Sequence, residues 1–255
     1  MKKELGKIFE SGKIFRIGTG EFTDSLIWER MISLSSFLVP LFATQGSAVL
    51  ELKTKTASIE CLKGLQHNRK TIAAWSLNTP RVIQEEEQGT ASLLERLEAA
   101  SRCQEWGYPL AFHFDPLVIY DGCEEEYRKT VEFLFSKIST ENITWISLGS
   151  FRFPPAFKTI FQKRHANSRL PYGEFICGLD NKMRYFKPLR IRLYRKMIEW
   201  IRNASQEVRV YLCMEDDEVW KKTIGYVPQK YGGLKRMLDE SAIIHCGLKE
   251  DFRKG

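Results

Sequence analysis

Apolar residues along this chain fall into short runs of strand length, and between the runs they recur three and four positions apart, so strands and amphipathic helices alternate. The runs at 14–17, 48–53, 72–76, 110–114 and 143–148 read as strands, and the stretches at 23–41, 92–106 and 125–138 as helices. Leu93, Leu97 and Ala100 share one face of the second helix, and Tyr127, Val131, Leu134 and Ile138 one face of the third. Ser92 with Glu95 makes a capping box, and Gly107 supplies the stop. Farther on, Tyr194, Met197, Ile198 and Ile201 form an inward stripe. Such alternation predicts an α/β fold, a parallel sheet covered by helices and either open or curled toward a barrel. Five strands are too few for a closed eight-stranded barrel.

With 255 residues and 43% hydrophobic composition the chain can bury a substantial core, which excludes a disordered tail or a disulfide mini-protein. The longest apolar stretch, 31–43, is broken by Ser33, Ser35, Ser36 and Pro40, far short of the roughly 18 apolar residues of a membrane span. The charged opening, Met1-Lys2-Lys3-Glu4, is unlike a secretory signal, so the expected location is cytoplasmic, away from membranes. The cysteines at 61, 103, 123, 177, 213 and 246 include no C-x2-C pair and no close-set trio. They read as reduced, mostly buried thiols, with no metal site among them.

Charge is uneven. Residues 151–255 are +10 while residues 1–150 are −3. Between 182 and 196 seven basic residues and no acid interleave with Tyr185, Phe186 and Tyr194. Counterion release from phosphates and stacking on unpaired bases make nucleic acid the natural partner for that mixture, and a solvated helix face the plain alternative.

Parallel α/β folds build their sites at the carboxyl ends of the strands, and those ends are polar here. The first is followed by Gly18-Thr19-Gly20-Glu21-Phe22-Thr23-Asp24 and the second by Lys53-Thr54-Lys55. The third closes on Ser76-Leu77-Asn78, the fourth carries His113 and Asp115, and the fifth ends Ser147-Leu148-Gly149. Ammonium, hydroxyl, amide and carboxylate groups on one rim suit a polar, partly charged small molecule. Gly18-x-Gly20 lacks the third glycine of a dinucleotide fingerprint and fits a capped strand-to-helix turn. His113 fits either a core histidine or a functional one. The acidic runs Glu85-Glu86-Glu87 and Glu124-Glu125-Glu126 read as helix-start or surface acids.

Several strings, taken in order, resemble the spore photoproduct lyase family of radical S-adenosylmethionine proteins and its non-spore relatives. They are Phe15-Arg16-Ile17-Gly18-Thr19-Gly20-Glu21-Phe22-Thr23-Asp24-Ser25, Leu52-Lys53-Thr54-Lys55, His67-Asn68-Arg69-Lys70-Thr71, Trp75-Ser76-Leu77-Asn78, Gly89-Thr90-Ala91-Ser92, Gly107-Tyr108-Pro109 and Lys182-Met183-Arg184-Tyr185-Phe186. The resemblance implies a partial TIM-type (β/α)6 barrel lacking its first strands, spanning 1–165, with a basic helical C-terminal extension at 166–255 packed on it. It also implies S-adenosylmethionine as cofactor beside a [4Fe-4S] cluster, DNA as partner, and repair of a thymine photoproduct as activity. Carried over by position, Thr23, Lys55 and Ser76 would contact S-adenosylmethionine, with Asp24 and Asn78 beside them. Arg184 and Tyr185 would meet the lesion; Lys187, Arg190, Arg192 and Arg195 are nucleic-acid-binding candidates from the basic composition of the segment.

Two departures follow. The family's C-x3-C-x2-C motif is absent, so the cluster ligands would have to come from a preceding segment or a partner chain, and the chain alone is expected to be incomplete or inactive. Glu21 stands where the lyase has a hydrogen-donating cysteine, and a carboxylate cannot replace that thiol. The competing expectations are a catalytically silent nucleic-acid-binding or partner-binding protein on the same scaffold, and a small-molecule lyase that uses no iron.

Overall fold

In the computed structural model, which describes residues 2–20 and 23–249, all five apolar runs are strands. A first helix, α1 (Lys2–Phe9), precedes β1 (Phe15–Gly18). The helix expected over 23–41 is instead a turn followed by α2 (Glu29–Ile32) and α3 (Leu34–Ala43), broken at Ser33, whose backbone is left-handed (φ 43°). The break leaves the N–H groups of α3 without helical partners, and Glu29 answers that need: its carboxylate accepts from the Ser35 N–H at 2.9 Å and hydroxyl at 2.6 Å.

β2 (Ala48–Thr54) and β3 (Thr71–Ser76) follow, then α4 (Pro80–Glu86) and α5 (Leu93–Glu105). α4 was invisible to periodicity, but its ends have ordinary causes: Thr79 caps Val82 and Pro80 occupies the first position, where a missing N–H costs nothing. α5 begins on the expected Ser92–Glu95 capping box. β4 (Leu110–Leu117), α6 (Cys123–Lys137) and β5 (Ile143–Ser150) complete the alternation.

Beyond β5 the chain makes a small antiparallel sheet, β6 (Arg152–Phe153), β7 (Ile176–Cys177) and β8 (Met183–Arg184), with α7 (Phe157–Arg164) inserted after its first strand. α8 (Lys187–Ala204) then returns to the body, and β9 (Val210–Leu212) pairs parallel with β5, Ser147 opposite Tyr211. The main sheet therefore has six parallel strands in the order β1-β2-β3-β4-β5-β9, one more than the sequence expectation, and its last strand comes from the C-terminal stretch. Three residues are too few to show a period, so the hydrophobic pattern does not disclose β9. α9 (Asp217–Ile224) and α10 (Leu234–Cys246) end the described fold.

The sheet curls into a half-barrel, as expected of a partial TIM-type α/β fold. Alternation along the strands sorts the apolar residues onto two faces. Leu50, Leu52, Trp75, Phe112 and Leu148 join the core beneath the flanking helices. Val49, Ile72, Ala74, Ala111 and Trp145 face inward and are stoppered by Leu238, Ala242 and Cys246 of α10. Toward the carboxyl ends the inward positions turn polar. Among the described residues no helix is long and apolar enough to cross a membrane.

Candidate functional site

A cavity of about 220 Å³ opens at the carboxyl ends of the inward-facing strand positions. Its walls are the turn Gly18–Gly20 with Ser25, Glu51 and Lys53 of β2, His113 and Asp115 of β4, Ser147 of β5, and Tyr211 and Cys213 of β9 and the residue after it. Each pair is spaced by two, so the strand period alone puts both members on the same wall.

Two polar arrangements organise it. His113 Nε2 lies 2.7 Å from Glu51 Oε1 and its Nδ1 2.7 Å from Ser147 Oγ, while the Trp145 indole donates to the same Glu51 oxygen at 3.3 Å. Nε2–H donates to the carboxylate, and the serine hydroxyl, which can donate or accept, meets Nδ1. Burial pushes the Glu51 carboxyl up, but the imidazole and indole outweigh it and hold the group below the usual carboxylate range. Beside it, Arg152 grips Asp115 with both terminal nitrogens, at 2.9 and 3.2 Å. That fork holds the Asp115 carboxyl low against the opposing effect of burial. Burial, with Asp115 adding to it, pushes the Cys213 thiol up to about 11, so it stays protonated at neutral pH. A Cβ at Gly149 would sit 2.6 Å from the Asp115 carboxyl carbon, so only glycine fits beside that pair.

The residues singled out by resemblance lie on the same rim but outside the walls of this cavity. Asp24 is a tie: its carboxylate accepts from the Leu26 N–H (2.8 Å), the Thr54 hydroxyl (2.8 Å) and the Lys55 N–H (2.7 Å). Ser25 completes the stitch by exchanging hydrogen bonds with Lys53. Asn78 is buried, accepting from Tyr127 Oη at 2.7 Å and donating to the Pro116 carbonyl at 2.9 Å. Thr23 is exposed, Ser76 is buried, and the Lys55 ammonium pairs with Glu87 at 2.9 Å. Glu87 is thus not a surface acid; its neighbours Glu85 and Glu86 end α4 rather than starting a helix. Glu21 lies outside the described residues.

The basic segment is largely neutralised from within. Arg184 pairs with Asp180 at 2.5 Å, Arg190 with Glu215, Lys187 with Asp216 and Glu218 at 2.9 and 2.7 Å, and Arg192 with Glu124 at 2.6 Å. Arg195 donates to the Lys222 carbonyl. Tyr185 is buried, stacked on Phe175 at 4.9 Å between ring centroids. Lys158, Lys163 and Arg164 of α7 are exposed and make no ion pair among the described residues, beside the exposed Phe157 and Ile160. The six cysteines are free thiols, and among the described residues no three His, Cys, Asp or Glu side chains gather to hold a metal ion.

Comparison with known proteins agrees with the strings. The family model described as spore photoproduct lyase matches residues 21–187. The chain is 32% identical over 134 residues to the spore photoproduct lyase of Clostridium acetobutylicum, covering 52% of this chain and 38% of that one. It is 34% identical over 136 residues to that of Bacillus subtilis, covering 52% and 40%. The matched stretch thus spans about two fifths of those relatives. Among solved structures, a spore photoproduct lyase variant with dinucleoside spore photoproduct superposes with a TM-score of 0.77 at 21% identity, covering 83% of this chain and 66% of that one. Another variant, with bound AdoMet and dinucleoside spore photoproduct, gives 0.75.

Proposed function

This chain belongs to the spore photoproduct lyase family, and from that premise we propose that it is an S-adenosylmethionine-binding half-barrel serving radical repair chemistry on a DNA photoproduct. The observation that carries this reading is the rim: the glycine turn after β1, Lys53 in β2 with Lys55 just past it, and Ser76 at the end of β3 stand at the carboxyl ends of neighbouring parallel strands. The donor set suits a zwitterion with ribose hydroxyls. The cavity wall offers the Lys53 ammonium, the carboxylates of Glu51 and Asp115, and a buried Thr19 hydroxyl with no partner among the described residues; the Lys55 ammonium stands on the same rim outside that wall.

In this reading Lys55 holds the ligand carboxylate, Ser76 and Thr23 offer hydroxyls, and Asp24 and Asn78 hold the loops that carry them. When bound, S-adenosylmethionine would supply the radical in company with a reduced cluster. The described residues do not fit a [4Fe-4S] cluster, since no thiol trio gathers. A preceding segment or a partner chain would bring it. Because Glu21 has no S–H bond to give, the reaction is a relative of photoproduct reversal rather than that reaction itself. The protonated Cys213 thiol lies on the cavity wall.

The competing reading, a silent nucleic-acid-binding or partner-binding protein, draws support from the outer edge of β1, unpaired among the described residues, which invites another strand. Titration calorimetry with S-adenosylmethionine separates the two. Binding that weakens about 10- to 100-fold in Lys55→Ala is the expected result, the loss of one charge-assisted hydrogen bond. Binding that is absent, or untouched by that change, rejects the S-adenosylmethionine site.

A further inference from the structure

Behind the rim lies a charged arrangement that direct ligand contact does not explain. Lys55 follows β2, Ser76 ends β3, Glu87 follows α4 and Arg96 sits in the first turns of α5, yet the four meet. The Arg96 guanidinium is 0% exposed. Its Nη1 donates to the Ser76 carbonyl at 2.9 Å and its Nε to the Ala91 carbonyl at 2.8 Å. Its Nη2 donates to Glu87 Oε2 at 2.6 Å and to the Thr90 hydroxyl at 2.7 Å. The other Glu87 oxygen, Oε1, accepts from the Lys55 ammonium at 2.9 Å, and the Ala91 N–H donates to the Lys55 carbonyl at 3.0 Å.

One carboxylate therefore stands between two cations of unequal exposure. Arg96 is sealed, so the shielding of its charge falls to Glu87. Lys55 keeps 33% of its side chain in solvent, and the excess positive charge of the trio emerges there, on an ammonium whose direction is already set. A free lysine must give up rotamer freedom to hold an anion; here that freedom is lost on folding. The same guanidinium holds the backbone of Ser76, so two groups from different strands take their positions from one buried fork.

We propose that Glu87 and Arg96 are positioning residues that act through Lys55 and Ser76, presenting a pre-oriented ammonium to an anionic group, the carboxylate of the ligand assigned above. This rests on the S-adenosylmethionine reading of the rim. It also gives a role to the string Gly89-Thr90-Ala91-Ser92, whose Thr90 and Ala91 form the collar around Arg96.

A double-mutant cycle tests it, read as S-adenosylmethionine affinity by calorimetry with thermal unfolding alongside. Glu87→Gln should weaken binding roughly five- to tenfold in the wild type and less than twofold in Lys55→Ala, because Glu87 works through a group already removed. An equal loss in both backgrounds makes Glu87 merely structural and overturns the proposal. Glu87→Asp, which keeps the charge that Arg96 requires but shortens the reach to Lys55, serves if Glu87→Gln does not fold. Full affinity in Lys55→Ala takes down the ligand reading and this inference together, whereas a weak Lys55→Ala beside an unaffected Glu87→Gln takes down this inference alone. A ligand-free arm uses ¹³C-dimethylated lysines. The Lys55 resonance should stand apart from those of exposed lysines and move toward them in Glu87→Gln; coincidence with them in the wild type rejects the positioned ammonium.

Discussion

His113 shows how one side chain can settle a question that composition leaves open. Both ring nitrogens are engaged, with Ser147 and Glu51, so it is a satisfied interior histidine, and it is also part of the cavity wall. Its partner carries a pH signature. The Glu51 carboxyl in the folded protein lies below its ordinary value of 4.5, so it contributes stability above that value and loses the contribution as pH falls through the lower folded value. Urea unfolding at pH 7 and again below pH 4.5 should show a smaller acid loss in Glu51→Gln than in the wild type. Identical losses would mean that the imidazole does not hold the carboxylate. Asp115 behaves in the same sense from its ordinary value of 3.8, with Arg152 as cause after the opposing burial.

Among the elements, α10 closes the narrow end of the half-barrel, and its C-terminus is held by the string His67-Asn68-Arg69-Lys70-Thr71, to which family likeness attached no role. Asn68 and Arg69 both take the left-handed conformation, and the turn they make presents Arg69 and Lys70 to the helix end. Arg69 Nε donates to the His245 carbonyl at 2.8 Å, and Lys70 Nζ to those of Cys246 and Gly247 at 2.5 and 2.8 Å. Cations at these carbonyls answer both the unpaired acceptors and the negative end of the helix. Lys70→Met, which keeps the aliphatic stem, should cost about 1–2 kcal/mol in urea unfolding. A change within error would show that α10 is held by its apolar face alone.

For the molecule as a whole, net charge overstates what is available to a polyanion. The C-terminal excess of +10 includes Arg184, Lys187, Arg190 and Arg192, each paired with an acid of the same chain. The exposed basic residues with no such partner among those described include Lys158, Lys163 and Arg164 on α7, next to Phe157. Neutralising those three should weaken single-stranded DNA binding and reduce the slope of log affinity against log salt by about 2, at roughly 0.7 per charge. Fluorescence anisotropy across a salt series reads both. Neutralising Arg192 and Arg195 should change the slope less, and the reverse order would return the interface to α8.

The sequence by itself determined whatever is local: the strand and helix periods, the capping box at Ser92 and Glu95, the polar carboxyl ends and the ordered strings of the family. Those features are written within one turn or one strand, where a side chain's neighbours are its neighbours in the chain. Only the tertiary structure decided which groups meet. Glu51 finds His113 across 62 positions, and Arg190 finds Glu215 across 25. Arg96 gathers partners from two segments, Ser76 and the stretch from Glu87 to Ala91, and β9, too short to show a period, joins the sheet because β5 offers it an edge. A charged side chain is buried only where its partner arrives, and that arrival depends on the curl of the sheet, which no local pattern encodes.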